Sequence, residues 1–184
     1  MSLQDVRAAL QADQPACFPT ETLWALAAKP AAAKAIFALK QRPEGVPLAV
    51  GFASWSEAKE YVHATPVAEA LATQLPGPLS LVCRRRDDRL AMAAPGLDTL
   101  SVRVPDHPLA IELLQDGPLL MTSANLHGQP DPITASDIPF QIPVVGDSVP
   151  GTASTVVDCT GEAPVLLREG MVSLAEVQAI MSKG

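Results

Sequence analysis

The chain is expected to fold as an α/β protein, one domain over residues 1–184 built on a mixed sheet flanked by helices. Three observations predict this. Short apolar runs punctuated by glycine and proline interleave with stretches of helical period. Some of these runs follow one another with no helix between them, which favours a mixed sheet over a purely parallel one. Leu100-Ser101-Val102-Arg103-Val104 alternates with period two, so Leu100, Val102 and Val104 face one side while Ser101 and Arg103 face the other.

Taken in order, Leu3, Val6 and Leu10 have helical spacing over 3–13, and Pro15 ends that pattern. Ala16-Cys17-Phe18 reads as a short buried strand running into Pro19-Thr20-Glu21-Thr22. Residues 31–40 form a helix by propensity and by the Ile36/Leu39 face, stopped by the turn at Arg42-Pro43-Glu44-Gly45. Residues 47–52 are a strand, Ser54-x-x-Glu57 opens a helix as a capping box, and Thr65-Pro66 opens another with proline at its first position. After the rigid turn Leu75-Pro76-Gly77-Pro78, residues 79–83 form a strand whose continuation, Arg84 to Arg89, reaches solvent. Asp106 is placed to cap a helix through Leu114, and Gly117-Pro118 turns into the strand that precedes Ser123. Strands at 154–158 and 164–168 lead to a last helix opened by Ser173-x-x-Glu176. The segment 146–153, punctuated by glycine and proline, is expected to be mobile.

Composition narrows the function classes. A hydrophobic fraction of 48% is that of a chain able to bury a core. A net charge of −7 argues against a broadly basic nucleic-acid footprint, so any polyanion contact must be local, as at Arg84-Arg85-Arg86 and Arg89. That run also fits a solvated strand end. The three cysteines, Cys17, Cys83 and Cys159, are odd in number and set among apolar neighbours, the pattern of buried thiols in a reducing compartment. The N-terminal residues lack a signal-peptide pattern and no window has the length of an apolar span, so a soluble, cytoplasmic protein is expected. Phosphate-loop, dinucleotide and nucleophile-elbow motifs are absent. His63, His107 and His127 have no metal-ligand spacing, so no protein metal cage is expected.

What remains is a set of polar segments at strand ends and turns. Thr122-Ser123-Ala124-Asn125 follows an apolar run and offers hydroxyls and a carboxamide at the mouth of a strand, where α/β sheets place ligands. Lys40-Gln41-Arg42-Pro43 adds the cations. Together they suggest a pocket for something anionic that also carries polar groups.

In order and spacing these segments resemble the YrdC-like family of threonylcarbamoyl-adenylate synthases, in its short TsaC-type form. The residues that carry the resemblance are Pro19 to Thr22, Ile36 to Pro43, Pro76 to Leu79, Arg103 to Pro108, Ser123 to Gly128, Ser154 to Asp158 and Arg168 to Gly170, spanning about residues 16–170. The resemblance implies a twisted sheet with a concave, positively lined cavity. It implies a nucleotidyltransferase reaction that joins L-threonine, bicarbonate and ATP into threonylcarbamoyl-adenylate and pyrophosphate, for modification of tRNA. By motif matching, Lys40, Arg42, Ser123 and Asn125 are the candidate catalytic residues. Thr20, Arg103 and Ser154 would hold threonine. Lys40, Arg42, Thr99, Ser123, Asn125 and Arg168 would hold the nucleotide. The implied partners are these small molecules, a downstream tRNA threonylcarbamoyl transferase, and tRNA or double-stranded RNA through a weak contact, with no membrane.

The chemistry suits those residue types. A carbamate formed from the amine and bicarbonate must attack the α-phosphorus of ATP while both reactants are anionic. Lys40 and Arg42 would neutralise phosphates, and Arg103 would clamp a carboxylate in a bidentate pair. Orientation and cationic donors supply the acceleration without a covalent nucleophile, and Mg²⁺ would arrive with the triphosphate. The chain departs from the family pattern at Trp24-Ala25-Leu26, at Val46 and Gly51, and at Asp131. Two alternatives stand beside the synthase: a non-catalytic tRNA-binding module using Arg84 to Arg89, and a carbamoyl-transfer paralogue of the same fold.

Overall fold

Nine strands join into one sheet in the computed structural model, which describes residues 1–182. They are β1 (Ala16–Pro19), β2 (Trp24–Ala28), β3 (Ala49–Gly51), β4 (Val62–His63), β5 (Leu79–Arg85), β6 (Thr99–Arg103), β7 (Leu119–Ser123), β8 (Thr155–Asp158) and β9 (Val165–Arg168). Their order across the sheet is β1-β2-β7-β3-β6-β5-β8-β9, with β4 paired to β5. The β3–β6 and β5–β8 pairs are parallel and the others antiparallel, so the sheet is mixed as expected.

The helices are α1 (Leu3–Gln11), α2 (Ala33–Lys40), α3 (Trp55–Ala58), α4 (Pro66–Ala72), α5 (Pro108–Leu114) and α6 (Leu174–Met181). Each pleat sends neighbouring residues to opposite faces. Phe18, Ala25, Ala27 and Met121 therefore pack with Val6 and Leu10 of α1 and Leu113 and Leu114 of α5. Cys17, Leu26 and Leu120 join the larger core, which includes Ile36 of α2, Leu71 of α4 and Val177 of α6. All three cysteines are buried thiols, and burial pushes that of Cys17 up to about 12.

Four expectations change. Strands β2 and β4 have no counterpart in the sequence reading: all five residues of β2 are buried with no alternation to mark them, and β4 is only two residues long. The cap of α5 is His107, since Pro108 at the first helical position leaves Asp106 outside the helix. Only half of the box at α3 forms: Ser54 accepts from the Glu57 N–H, while the Glu57 carboxylate reaches the Ala53 N–H. The segment 146–153 is tied down. Gly151 N–H donates to Thr22 O and Val149 N–H to Ile133 O, both at 3.0 Å, and Val149 is buried.

Candidate active site

Two rows of residues run across the sheet on one face. Register places Gly51, Arg103, Ser80 and Val156 in one row and Ala49, Ser101, Val82 and Asp158 in the next. Most of these residues line a cavity of about 560 Å³, while their strand neighbours Leu79, Leu81, Leu100, Val102 and Val157 are buried in the core behind. The β6 alternation read from the sequence therefore separates site from core. That volume is typical of a small-molecule site. Three arginines, Arg42, Arg103 and Arg168, reach its wall, against the carboxylates of Asp131 and Asp158.

The K-x-R segment splits at the end of α2. Gln41 takes the left-handed conformation, with φ at 52°, and Arg42 N–H closes the turn on Phe37 O at 3.0 Å. This reversal sends Lys40 and Arg42 to different places. Arg42 reaches the cavity, donating from Nη1 to Thr122 Oγ1 at 3.4 Å and from Nη2 to Pro47 O at 3.0 Å. Its Nε is buried without a partner. A guanidinium carries five N–H donors, so Arg42 retains Nε and one hydrogen on each terminal nitrogen.

Lys40 lies behind the S-x-N segment, 2% exposed, and is not part of the cavity wall. Its ammonium donates to Ser123 O at 2.6 Å, Asn125 O at 2.8 Å and Asn125 Oδ1 at 2.7 Å. All three of its protons are thereby used. Burial and the nearby Arg42 push Lys40 down to about 8, while Asp131 acts the other way. Asn125 is likewise turned inward: Oδ1 also accepts from Ser123 Oγ at 2.7 Å, and Nδ2 donates to Gln129 O. Of these four candidate catalytic residues only Arg42 and Ser123 face the cavity.

Arg103 lines the cavity but gives its terminal nitrogens to the protein. Nη1 donates to Gly77 O and Leu79 O, and Nη2 to Glu21 Oε1 and Thr22 Oγ1. These bonds brace the P-G-P turn against the P-T-E-T turn. Thr20 lines the cavity from that turn, its hydroxyl donating to Leu23 O at 2.6 Å. Ser154 and Ser80 hydroxyls pair at 3.1 Å on the wall, and Thr99 joins them from β6. Arg168 donates from Nε and Nη2 to Ser154 O, and Nη1 remains for a ligand. Sequence reasoning missed Ser80 and Thr22 as wall residues; the alternation of Leu79-Ser80-Leu81 was the available signal for the first.

The arginine run is tied to the protein. Arg84 pairs with Asp98 and Arg85 with Asp88. Arg86 donates to Lys59 O and Val62 O, and Arg89 pairs with Asp87 and sits 4.2 Å over the Tyr61 ring. This is the arrangement of a braced strand end. Among the described residues, no helix is long and apolar enough to cross a membrane.

A family model described as "Telomere recombination", covering Sua5, YciO and YrdC, matches residues 8–170. The threonylcarbamoyl-AMP synthase of Bacillus subtilis is 34% identical over 95% of this chain and 55% of its own length. A putative threonylcarbamoyl-AMP synthase of Mycobacterium tuberculosis is 32% identical over 94% of this chain and 86% of its own. The crystal structure of Pyrococcus abyssi Sua5 complexed with L-threonine superposes with a TM-score of 0.89 at 33% identity, over 98% of this chain and 58% of that one. The chain thus spans about half the length of several curated relatives it matches. With the sheet, the cavity and the matched segments in agreement, the chain belongs to the Sua5/YciO/YrdC family.

Proposed function

We propose that the chain is an L-threonylcarbamoyladenylate synthase, acting as one unit over residues 1–184. The observation that carries this reading is the convergence of Arg42, Arg168, Ser123 and the hydroxyls of Thr20, Thr22 and Ser154 on one cavity. Threonine's amine adds to bicarbonate with loss of water to give a carbamate. The carbamate oxygen then bonds to the α-phosphorus of ATP as the bond to pyrophosphate breaks. The transfer of an adenylyl group makes the enzyme a nucleotidyltransferase. Arg42 and Arg168 keep uncommitted N–H groups, so they are assigned to the phosphates and to the charge that develops on pyrophosphate. Threonine is assigned to the wall of Thr20, Arg103 and Ser154, and the nucleoside to the side of Thr99 and Arg168.

Mg²⁺ is assigned to the triphosphate, where it shields charge on the phosphates. Asp131 fits such an ion: its carboxylate lies on the wall close enough to Arg168 to favour that residue's charge. The product passes to a transferase that modifies tRNA, and the setting is the cytoplasm. Incubation with threonine, bicarbonate and Mg-ATP should release pyrophosphate in proportion to added threonine. Release that ignores threonine would reject the reading.

A further inference from the structure

Strands β5 and β8 run parallel, and their last registered pair, Val82 and Asp158, is followed on each strand by a cysteine. Cys159 N–H donates to Val82 O at 2.9 Å, which carries the ladder one residue further and sets Cys83 beside Cys159. Both point into the core with Leu81 and Val157, and both are wholly buried. The thiols meet: the hydrogen bond shared with Cys83, ahead of burial, holds the Cys159 thiol above its ordinary range. Neighbouring strands lie about 4.8 Å apart, within the roughly 4.4–6.8 Å between Cα atoms that a disulfide spans. The backbone need not move for the two sulfurs to bond. Cys17 is out of reach of both, because β1 lies five strand spacings from β5, on the order of 24 Å.

We infer that Cys83 and Cys159 are a latent disulfide, a modification site on the core side of the β5–β8 seam that closes reversibly with a low-molecular-weight disulfide as oxidant. The inference is independent of what the cavity binds. The closed protein shields both sulfurs, so the oxidant enters by local opening of the C-terminal segment. That segment is lightly held: among the described residues, β9 buries no side chain and α6 buries Val177 alone, and the β8–β9 register shifts between Val156 and Val157. Cys159 borders it, one residue past β8, whereas Cys83 lies inside β5, between β6 and β8. In the open state the Cys159 thiolate attacks one sulfur of the oxidant and expels the other as a thiolate. The Cys83 thiolate then attacks the Cys159 sulfur and expels the second small thiolate. Two protein thiols thereby lose two electrons, the oxidant becomes two small thiols, and the two protein protons pass to them through solvent. A close-packed core has no room for the mixed disulfide but accepts the bond between neighbouring strands, so reclosure drives the second step. The cross-link faces away from the cavity and closes a long loop, which restricts the unfolded chain.

The test incubates the full wild-type chain with oxidised glutathione at about pH 8, with and without sub-denaturing urea, then alkylates the remaining thiols and reads intact and peptide masses. The product should keep one alkylatable thiol, Cys17, and yield one cross-linked pair of peptides carrying Cys83 and Cys159. Sub-denaturing urea should speed its formation at least about fivefold, since opening admits the oxidant. The oxidised chain should unfold at a higher urea concentration than the reduced one, and dithiothreitol should restore the reduced midpoint. Three free thiols after prolonged incubation in urea, a cross-link that includes Cys17, or a midpoint at or below that of the reduced chain would overturn the inference. A rate indifferent to urea would overturn it as well, by removing the route of entry. In Cys83→Ala the reaction should stop at a glutathione adduct on Cys159, and the wild-type masses decide alone if that variant does not fold. Loss of threonine-dependent turnover would leave every one of these outcomes unchanged, so the synthase reading and this inference fail separately.

Discussion

Glu21 and Arg103, 82 residues apart in the chain, form an ion pair at 2.5 Å that joins the P-T-E-T turn to strand β6. Arg103 is 4% exposed and the Glu21 side chain 18%. Such a pair holds two walls of one cavity in register, and it is costly to break because it leaves a buried charge behind.

Glu21→Ala should therefore destabilise the fold by about 3–5 kcal/mol, against about 1–2 kcal/mol for Glu21→Gln, which keeps an acceptor. Urea unfolding of the two variants measures this. Equal and small losses, both under about 1 kcal/mol, would show that the pair is not sealed from water.

Arg42 should show the opposite balance. Its Nε is buried without a partner, so the free protein carries an unpaired donor there. Arg42→Met should lower turnover about a hundredfold or more while raising or keeping stability, by up to about 1 kcal/mol. Turnover and the urea midpoint, measured on the same preparation, separate the two effects.

The pH response of Lys40 has a defined sign. Burial and Arg42 hold it at about 8 in the folded chain, below its ordinary value of 10.5. Between those values the unfolded chain binds the extra proton, so this residue's contribution to stability rises with pH. From pH 7.5 to 9.5 the wild type should gain on the order of 2 kcal/mol relative to Lys40→Met. Turnover should fall over the same interval, as the uncharged amine releases one of its three acceptors. Asp131 favours the charge on this group, so its neutral variant should lower the midpoint.

Gly170 ends the R-x-G segment where the backbone is crowded. A Cβ there would lie 2.2 Å from Ala153 O and 2.7 Å from Ser154 O. Gly170→Ala should cost about 2 kcal/mol or more and displace Arg168 from Ser154, weakening nucleotide binding. Gly161→Ala, whose Cβ meets nothing nearer than 3.8 Å, serves as the control and should stay within about 0.5 kcal/mol.

Local signals carried much of the fold. The capping box at Ser173 forms completely, and the period of β6 separates Ser101 and Arg103 from the core residues between them. Strand β2 was invisible because Trp24 to Ala28 are buried on both faces, which removes the alternation that marks a half-exposed strand. Within the site, residue type gave the charge of Lys40 and Arg103 but no direction. Their partners, Ser123, Asn125, Gly77, Leu79 and Glu21, come from distant parts of the chain. Whether a cation reaches a ligand or braces a loop is decided by those tertiary acceptors.

The pleat of β5, β6 and β8 also bears on how such a molecule can diversify. Odd and even positions along three adjacent strands answer to different demands, one set to ligand and the other to the hydrophobic layer. Exchanging Ser80, Ser101 or Val156 would redraw the contact surface with the apolar filling untouched. Chemical repertoire and foldedness are thus inherited on interleaved tracks, and selection can tune one with little penalty to the other.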